Sequence, residues 1–233
     1  MSSPAVEPAR GLLNKRERRV LGVLVEKQKT TPENYPLSIA ALVTGCNQKT
    51  NRDPITSYDS DDVEQTLQDL RLKGATVRIE GVGRVEKWRH NLYEWLDLKN
   101  RPVEMAILAE LLLRGPQTEG DLRGRASRMD PIPDLATLQG LLEGLAERGL
   151  VVFLSPPGQR RGVVLTHGFH TPEELEALRQ AHAQGSTLEM DEPAPARGWA
   201  TEANTLRQEI EALRDRLEAL DQEVQALKTS LGD

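Results

Sequence analysis

Short clusters of lysine and arginine are the residues of this sequence best suited to chemistry, because cations bind the phosphate groups of nucleic acids. Seven of them lie in segments that we expect to be loops or hairpins, and they are Lys49, Arg52, Arg84, Lys87, Arg89, Arg160 and Arg161. More lie near the start of the chain, at Lys15, Arg16, Arg18 and Arg19. Such groups could hold a phosphate backbone without reading bases. The alternative interpretation is ordinary solvated charge.

Histidine and cysteine could support metal binding or catalysis. His167 and His170 lie three residues apart, with His182 further along, and three histidines can ligate a metal ion. We instead expect these histidines to be solvent-exposed at a junction between a strand and a helix. Cys46 could be a reactive thiol, but a small, partly buried loop residue is the more typical role. The chain also lacks a phosphate-binding Gly-x-x-x-x-Gly-Lys loop and a Gly-x-Ser-x-Gly nucleophile motif, so we expect no enzymatic activity, cofactor or metal.

Charge is distributed unevenly along the chain. The net charge of −6 is unusual for a nucleic-acid-binding protein, but residues 1–100 carry +2, residues 101–170 carry zero and residues 171–233 carry −8. Because Cys46 is the single cysteine, no intrachain disulfide can form, which is typical of a reducing cytoplasm. The sequence shows no signal peptide and no apolar stretch near the ~20 residues that cross a bilayer. We therefore expect a cytoplasmic protein with no membrane partner.

A long helical pattern occurs twice. Residues 14–28 predict a helix that is capped by Asn14, with Glu17 three residues later, and residues 101–114 predict its counterpart. Each helix has one apolar stripe, which consists of Val20, Leu21, Leu24 and Val25 in the first copy and of Ile107, Leu108, Leu111 and Leu112 in the second. The chain therefore contains an internal repeat.

Shorter helices and hairpins complete the repeat. Second helices are predicted to begin at the capping residues Ser38 and Thr118. Apolar residues of the third helices match at a constant offset of 75, and they are Val63, Leu67 and Leu70 against Leu138, Leu142 and Leu145. A glycine, an apolar strand, a turn and a second strand follow each third helix. This order predicts a mainly α fold with small β-wings, in two tandem winged-helix (helix-turn-helix) domains.

The first copy has longer loops than the second. Residues 29–36 and 45–54 hold seven and five additional residues. Binding residues concentrate in loops. The second loop is rich in side-chain donors, which are Asn47, Gln48, Lys49, Thr50, Asn51 and Arg52. Added loop length is also tolerated cheaply, so it need not indicate function.

Three peptides give a family resemblance. They are Thr31-Pro-Glu-Asn-Tyr-Pro-Leu-Ser38, Cys46-Asn-Gln-Lys-Thr-Asn-Arg-Asp-Pro54 and, more weakly, Gly83-Arg-Val-Glu-Lys-Trp-Arg-His90. Residues 14–170, about two-thirds of the chain, resemble the YceH-like family of bacterial tandem winged-helix proteins. The resemblance implies the tandem winged-helix fold, and no established biochemical role comes with it.

The third helices are poor candidates for reading bases. The first opens with Asp59, Asp61 and Asp62, which repel phosphates but stabilise a helix N-terminus. The second carries Gly140 and Gly144 four residues apart, and glycine inside a helix costs ~1 kcal/mol relative to alanine. Close approach of another helix, within or between chains, would explain these glycines. Neutral drift is the alternative.

Two functions remain open from the sequence. We expect a non-enzymatic, DNA-associated regulator or architectural factor that binds duplex DNA mainly through phosphate contacts of the seven cations. The alternative is a protein–protein interaction scaffold, similar to the tandem winged-helix subunits of chromosome-condensing complexes. The acidic first recognition helix and the face with Gly140 and Gly144 favour the second hypothesis.

The C-terminal residues predict a coiled-coil helix. Apolar residues recur there on a heptad pattern at Leu206, Ile210, Leu213, Leu217, Leu220, Val224, Leu227 and Leu231. Opposite charges flank this seam, which favours a parallel homodimer over a helix that packs on its own domains. The predicted segments are a disordered N-terminus (1–13), winged-helix domains (14–98 and 99–184), a linker (185–200) and the coiled coil (201–233).

Overall fold

The computed structural model describes residues 11–79, 86–159 and 161–188 of the chain. In its first half, three helices lead into a hairpin and a short fourth helix, with the bounds α1 (Lys15–Thr30), α2 (Ile39–Cys46), α3 (Ser60–Leu72), β1 (Thr76–Ile79), β2 (Lys87–His90) and α4 (Leu92–Trp95). A single 3-10 turn, Pro32–Asn34, precedes α2. The two strands pair antiparallel, with Thr76 opposite His90 and Ile79 opposite Lys87.

The second half repeats this order with one additional strand. Its elements are α5 (Pro102–Arg114), β3 (Gln117–Thr118), α6 (Glu119–Ala126), α7 (Leu135–Glu147), β4 (Val151–Phe153), β5 (Val164–His167) and α8 (Pro172–Leu188). The three strands form an antiparallel sheet in the order β3-β5-β4. The described chain is therefore mainly helical with small antiparallel sheets, and the order in each half is winged-helix-like.

The predicted helix starts are confirmed. The Asn14 side chain accepts hydrogen bonds from the backbone N–H groups of Arg16 and Glu17, and the Glu17 carboxylate accepts one from Asn14. Ser38 and Thr118 cap the second helices, and each hydroxyl accepts one hydrogen bond from the backbone N–H three residues later. These caps pair backbone donors that a helix start otherwise leaves unsatisfied.

The register of the third helices is also confirmed. Both ends of α3 and α7 are separated by 75 residues, and the equivalent Leu67 and Leu142 are both completely buried. Gly74 and Gly149 follow these helices with φ values of +77° and +67°. That left-handed conformation favours glycine, so each helix ends at the same point of the repeat.

Each hairpin ends in a buried histidine, which helix periodicity did not reveal. His90 closes β2, and its Nδ1 accepts a hydrogen bond from the N–H of Leu92 at 3.2 Å. His167 closes β5, and its Nδ1 accepts one from the N–H of Phe169 at 3.2 Å. Both rings are almost fully buried. The two halves thus share a hydrogen-bonded turn after the second strand.

The first helices of the two halves pack against each other. A methyl group on Gly22 of α1 would come within 2.8 Å of Leu113 Cγ on α5. Ten consecutive residues are buried in each helix, from Glu17 to Glu26 and from Glu104 to Leu113. The sequence predicted only one apolar stripe per helix, and the partner helix covers the additional faces. The described residues as far as Ala183 belong to one compact unit.

The last described helix passes the predicted end of the second domain. α8 begins at Pro172 and continues through Gly185 to Leu188, into the segment predicted as a linker (185–200). A single glycine inside a 17-residue helix costs only ~1 kcal/mol, which the rest of the helix tolerates. The predicted coiled coil (201–233) and the rest of the linker lie outside the described residues, as do residues 1–10. Among the described helices, none has the length and apolar character to cross a membrane.

Candidate nucleic-acid interface

The first hairpin presents two cations on its outer face. Lys87 and Arg89 are exposed on β2, whereas the alternating residues Trp88 and His90 are buried. Successive side chains of a strand point to opposite faces, so both cations lie on the same face. Neither cation forms an ion pair among the described residues. Both predicted residues are therefore available to a phosphate, while Arg84 lies outside the described chain.

The first peptide of the family resemblance fixes the base of this hairpin. Leu37 and Trp88 exchange backbone hydrogen bonds, at 3.0 and 2.7 Å, which adds a third short segment beside β2. The hydroxyl of Tyr35 accepts a hydrogen bond from the backbone N–H of His90 at 2.8 Å. This longer loop therefore positions the strand that carries Lys87 and Arg89.

His90 is held as a neutral ring beneath the hairpin. Because its Nδ1 accepts a hydrogen bond from Leu92, its Nε2 carries the proton and donates to Gln28 Oε1 at 2.6 Å. Burial, with smaller effects of the neighbouring cations Arg89 and Lys29, lowers the pKa of His90 to about 4. The ring thus adds no charge to the cationic face at neutral pH.

Arg52 does not belong to this interface, and its prediction as a phosphate contact is wrong. Its side chain is completely buried, and both terminal nitrogens bind the carboxylate of Glu26, at 3.2 and 2.5 Å. The remaining donors reach the carbonyls of Gly45 and Asn51 and the side chain of Gln48. All five N–H groups of the guanidinium are used, so none remains for a phosphate.

The donor-rich loop fastens one half of the chain to the other. We call residues 47–54 the strap. Asn51 Oδ1 accepts a hydrogen bond from Arg114 at 2.8 Å, and the N–H of Asp53 donates to the carbonyl of Leu113 at 3.1 Å. Lys49 is exposed on the strap and forms no ion pair among the described residues. Of the predicted binding residues in this loop, only Lys49 is therefore free.

Three of the four predicted cations of α1 are held by groups of the described chain. Arg16 pairs with Asp62 at 2.7 Å, and Arg18 binds Glu174 through two hydrogen bonds. Arg19 is buried and donates to two backbone carbonyls. Of these four cations only Lys15 is exposed without an ion pair among the described residues, so the first helix contributes less accessible charge than its sequence indicates.

The second hairpin contributes one described cation. Arg161 is exposed in the turn between β4 and β5. Gln159 closes this turn, because its side-chain amide donates to the carbonyls of Arg161 and Gly162 at 2.8 and 3.2 Å. Arg160 lies outside the described residues. The turn thus leaves the Arg161 side chain in solvent.

No described segment covers the outer face of α7 at its two glycines. A methyl group on Gly140 or Gly144 would meet no atom within 4 Å. Close packing within the chain is therefore not the reason for these glycines among the described residues, and that interpretation is wrong. A contact between chains stays a prediction.

The expectation for the histidines is also wrong. His167 is almost fully buried and stacks on His170, with ring centroids 4.0 Å apart. Burial holds the pKa of His167 well below its usual value, and Nδ1 of His170 lies 2.6 Å from the Arg18 guanidinium. The described residues contain no cluster suited to a metal ion. Strand alternation was not a signal for this burial, because Leu165, Thr166 and His167 of β5 are all buried.

Cys46 is more deeply buried than expected. It ends α2 with no exposed surface, and burial raises the pKa of its thiol to about 12. A thiol with that pKa is almost entirely protonated at neutral pH, and the protonated form is a poor nucleophile. The residue therefore packs in the core rather than reacting.

Comparisons with known proteins place these features in a family. Residues 13–159 match the family described as "Protein of unknown function, DUF480". A UPF0502 protein of Rhodopirellula baltica is 54% identical over 157 residues, which cover 67% of this chain and 65% of the relative, just under two thirds of its length. A UPF0502 protein of Geobacter sulfurreducens is 44% identical over 182 residues, 77% of this chain and 82% of the relative. The resemblance seen in the sequence is confirmed, and the chain belongs to this family of unknown function.

Proposed function

We propose that this protein is a non-enzymatic, DNA-associated factor, a regulator or architectural protein, that holds duplex DNA by its phosphates. In this proposal the two halves are tandem winged-helix domains, and the hairpins are the wings. The observation that carries it is the exposure of Lys87 and Arg89 on one face of β2, on either side of the buried Trp88. Lys49 and Arg161 are exposed in the other predicted segments.

Phosphate contact fits the charges better than base reading. Asp59 caps α3 and Asp62 completes its capping box, so carboxylates surround the end of the helix that would enter a groove. Side chains that could read a base edge are few on the described outer faces of these helices: Gln65 of α3 already donates to Asp69, Gln139 of α7 donates to Glu119, and Arg71 lies in the last turn of α3, away from its acidic start. Sequence preference should therefore be slight.

The predicted coiled coil would multiply weak contacts. If residues 201–233 form a parallel homodimer, one particle carries two copies of each cationic hairpin. Binding of one copy then raises the effective concentration of the other, which strengthens the complex without a new kind of contact. The heptad pattern supports this step, and it lies outside the described residues.

Titration of generic duplex DNA at several salt concentrations tests the proposal. Affinity should fall with salt at a log–log slope of about −0.9 for each phosphate that is neutralised. The variant Lys87→Glu, Arg89→Glu should weaken all duplexes about equally, because phosphate contacts carry no sequence information. The matched control Arg71→Glu, Arg179→Glu reverses two exposed cations elsewhere.

Two outcomes would contradict the proposal. The first is a wild-type protein that shows no binding even at low salt. The second is an equal loss in the control variant, which would indicate a general charge effect without an interface at the hairpin.

A protein-interaction scaffold is the second candidate function. The uncovered face of α7 favours it, because Gly140 and Gly144 leave room for another chain to approach closely. Leu135 begins this helix and is 42% exposed. Such a contact would bind protein through α7 and leave the cationic hairpins unused.

A further inference from the structure

Three arginines meet where the strap of the first half touches the second half. Arg114 ends α5, Arg125 lies in α6, and Arg128 follows α6 by two residues. Arg114 and Arg128 lie against the carboxylate of Glu110, which is completely buried, and Arg125 lies near it. Arg114 Nε lies 2.9 Å from Glu110 Oε1, although its N–H does not point at that oxygen, and Arg128 Nη2 lies 3.4 Å from Oε2.

The hydrogen bonds that orient these guanidinium groups go mainly to neutral amide and carbonyl oxygens. Asn51 Oδ1 binds Arg114 at 2.8 Å, Gln117 Oε1 binds Arg125 at 2.7 Å, and a backbone carbonyl binds Arg128 Nε at 3.1 Å. One terminal nitrogen of each group makes no hydrogen bond among the described residues. The groups are therefore fixed in direction and keep donors for a ligand.

Three arginines elsewhere in the described chain each have a carboxylate of their own, in the pairs Arg18–Glu174, Arg52–Glu26 and Arg101–Glu104. Here Arg114 and Arg128 share one carboxylate, and Arg125 has only Asp121 at 3.7 Å. Burial lowers the pKa of Arg114, and the nearby Arg125 and Arg128 lower it further, although Glu110 and Asp53 oppose them. The three cations are thus close enough to repel one another.

We propose that Arg114, Arg125 and Arg128 bind a phosphate group, either free in solution or on a nucleic acid. Guanidinium groups bind phosphate through paired, charge-assisted hydrogen bonds. Arg125 and Arg128 supply the accessible donors, because their side chains are 36% and 43% exposed. Arg114, with a side chain that is 21% exposed, lies deeper in the same site. The nucleic-acid source rests on the proposed function, and free phosphate does not.

The test compares Arg125→Gln, Arg128→Gln with the control Arg71→Gln, Arg179→Gln, which removes the same charge elsewhere. Calorimetric titration with inorganic phosphate and pyrophosphate, at matched ionic strength, measures the free ligand. We expect the first variant to lose about tenfold or more in affinity, the size of one charge-assisted hydrogen bond, and the control to match the wild type. The single variants serve if the double variant does not fold.

Titration with a generic duplex identifies the source. If the site holds nucleic acid, the first variant should make the log–log salt slope shallower by about 0.9 for each lost contact. A loss for phosphate but not for duplex supports the free anion. If the wild type binds neither probe at this site, or if the variant equals the control with both probes, the inference is overturned. A wild type that binds phosphate but no duplex contradicts the proposed function alone.

Discussion

The two connections between second and third helices use their polar residues differently. In the first half, residues 47–59 join α2 to α3, and every N–H donor of the Arg52 guanidinium forms a hydrogen bond inside the protein. In the second half, residues 127–134 join α6 to α7 with fewer bonds, such as those of Arg123 to two carbonyls at 3.4 Å. A polar loop in a sequence therefore does not reveal whether its donors face solvent or the interior.

The largest expected effect follows from removing the buried ion pair of the strap. Arg52→Ala should lower the free energy of unfolding by about 3–5 kcal/mol, because it leaves the buried carboxylate of Glu26 without its partner. Arg123→Ala, the matched change in the second half, should cost about 1 kcal/mol or less. Chemical denaturation at pH 7 measures both. Equal losses would show that the two connections do not differ in this way.

Lowering the pH should destabilise the protein through the buried histidines at the ends of the two hairpins. The first half buries one neutral histidine, His90, whereas the second half buries His167 beside His170. Burial lowers the pKa of His170 to about 4, because it opposes the charged form of the ring. An unfolded histidine binds a proton below about pH 6.5 and these folded ones do not, so stability is lost as the pH falls from about 6.5 towards 4. For His90 alone, the loss approaches about 3 kcal/mol at the lower limit.

Urea denaturation at pH 7 and pH 5 measures this loss. The variant His167→Asn, His170→Asn should remove more of the pH dependence than His90→Asn does. Stability that stays constant between these pH values in the wild type would contradict the prediction.

The smallest expected effect concerns the third helices. Because Gly140 and Gly144 face open space, Gly140→Ala and Gly144→Ala should each raise the free energy of unfolding by about 1 kcal/mol. If α7 is a protein contact, the same changes should weaken association while they stabilise the single chain. Thermal unfolding and sedimentation separate these effects. A loss of stability would show that the face is covered.

Local patterns predicted most of the helices, and long-range contacts decided the rest. The caps at Asn14 and Thr118 depend on residues within three positions, so the sequence was sufficient to place them. The fate of Arg52 depends on Glu26, which lies 26 residues earlier, and no periodicity connects the two. The burial of His90 and His167 was readable in principle, since both end a second strand at an offset of 77.

The exposure of Lys87 and Arg89 illustrates the opposite case. Strand alternation around Trp88 is a local pattern, so the sequence predicted both cations correctly as accessible. The cluster of Arg114, Arg125 and Arg128 was not predicted, because it depends on how α6 packs against α5 and on one bond from Asn51 of the strap. Sites within one element are visible in a sequence, whereas sites that several elements build need the fold.

The packing of Gly22 against Leu113 limits how this chain can be rearranged. Helices buried on all sides cannot stand alone in water, so a fragment that keeps only α1 or only α5 would expose a broad apolar surface. Exchange of one half with a foreign domain would meet the same obstacle, since the partner helix must match a contact with no room for a methyl group. The two halves are thus repeated in sequence but inseparable as modules for recombination or engineering.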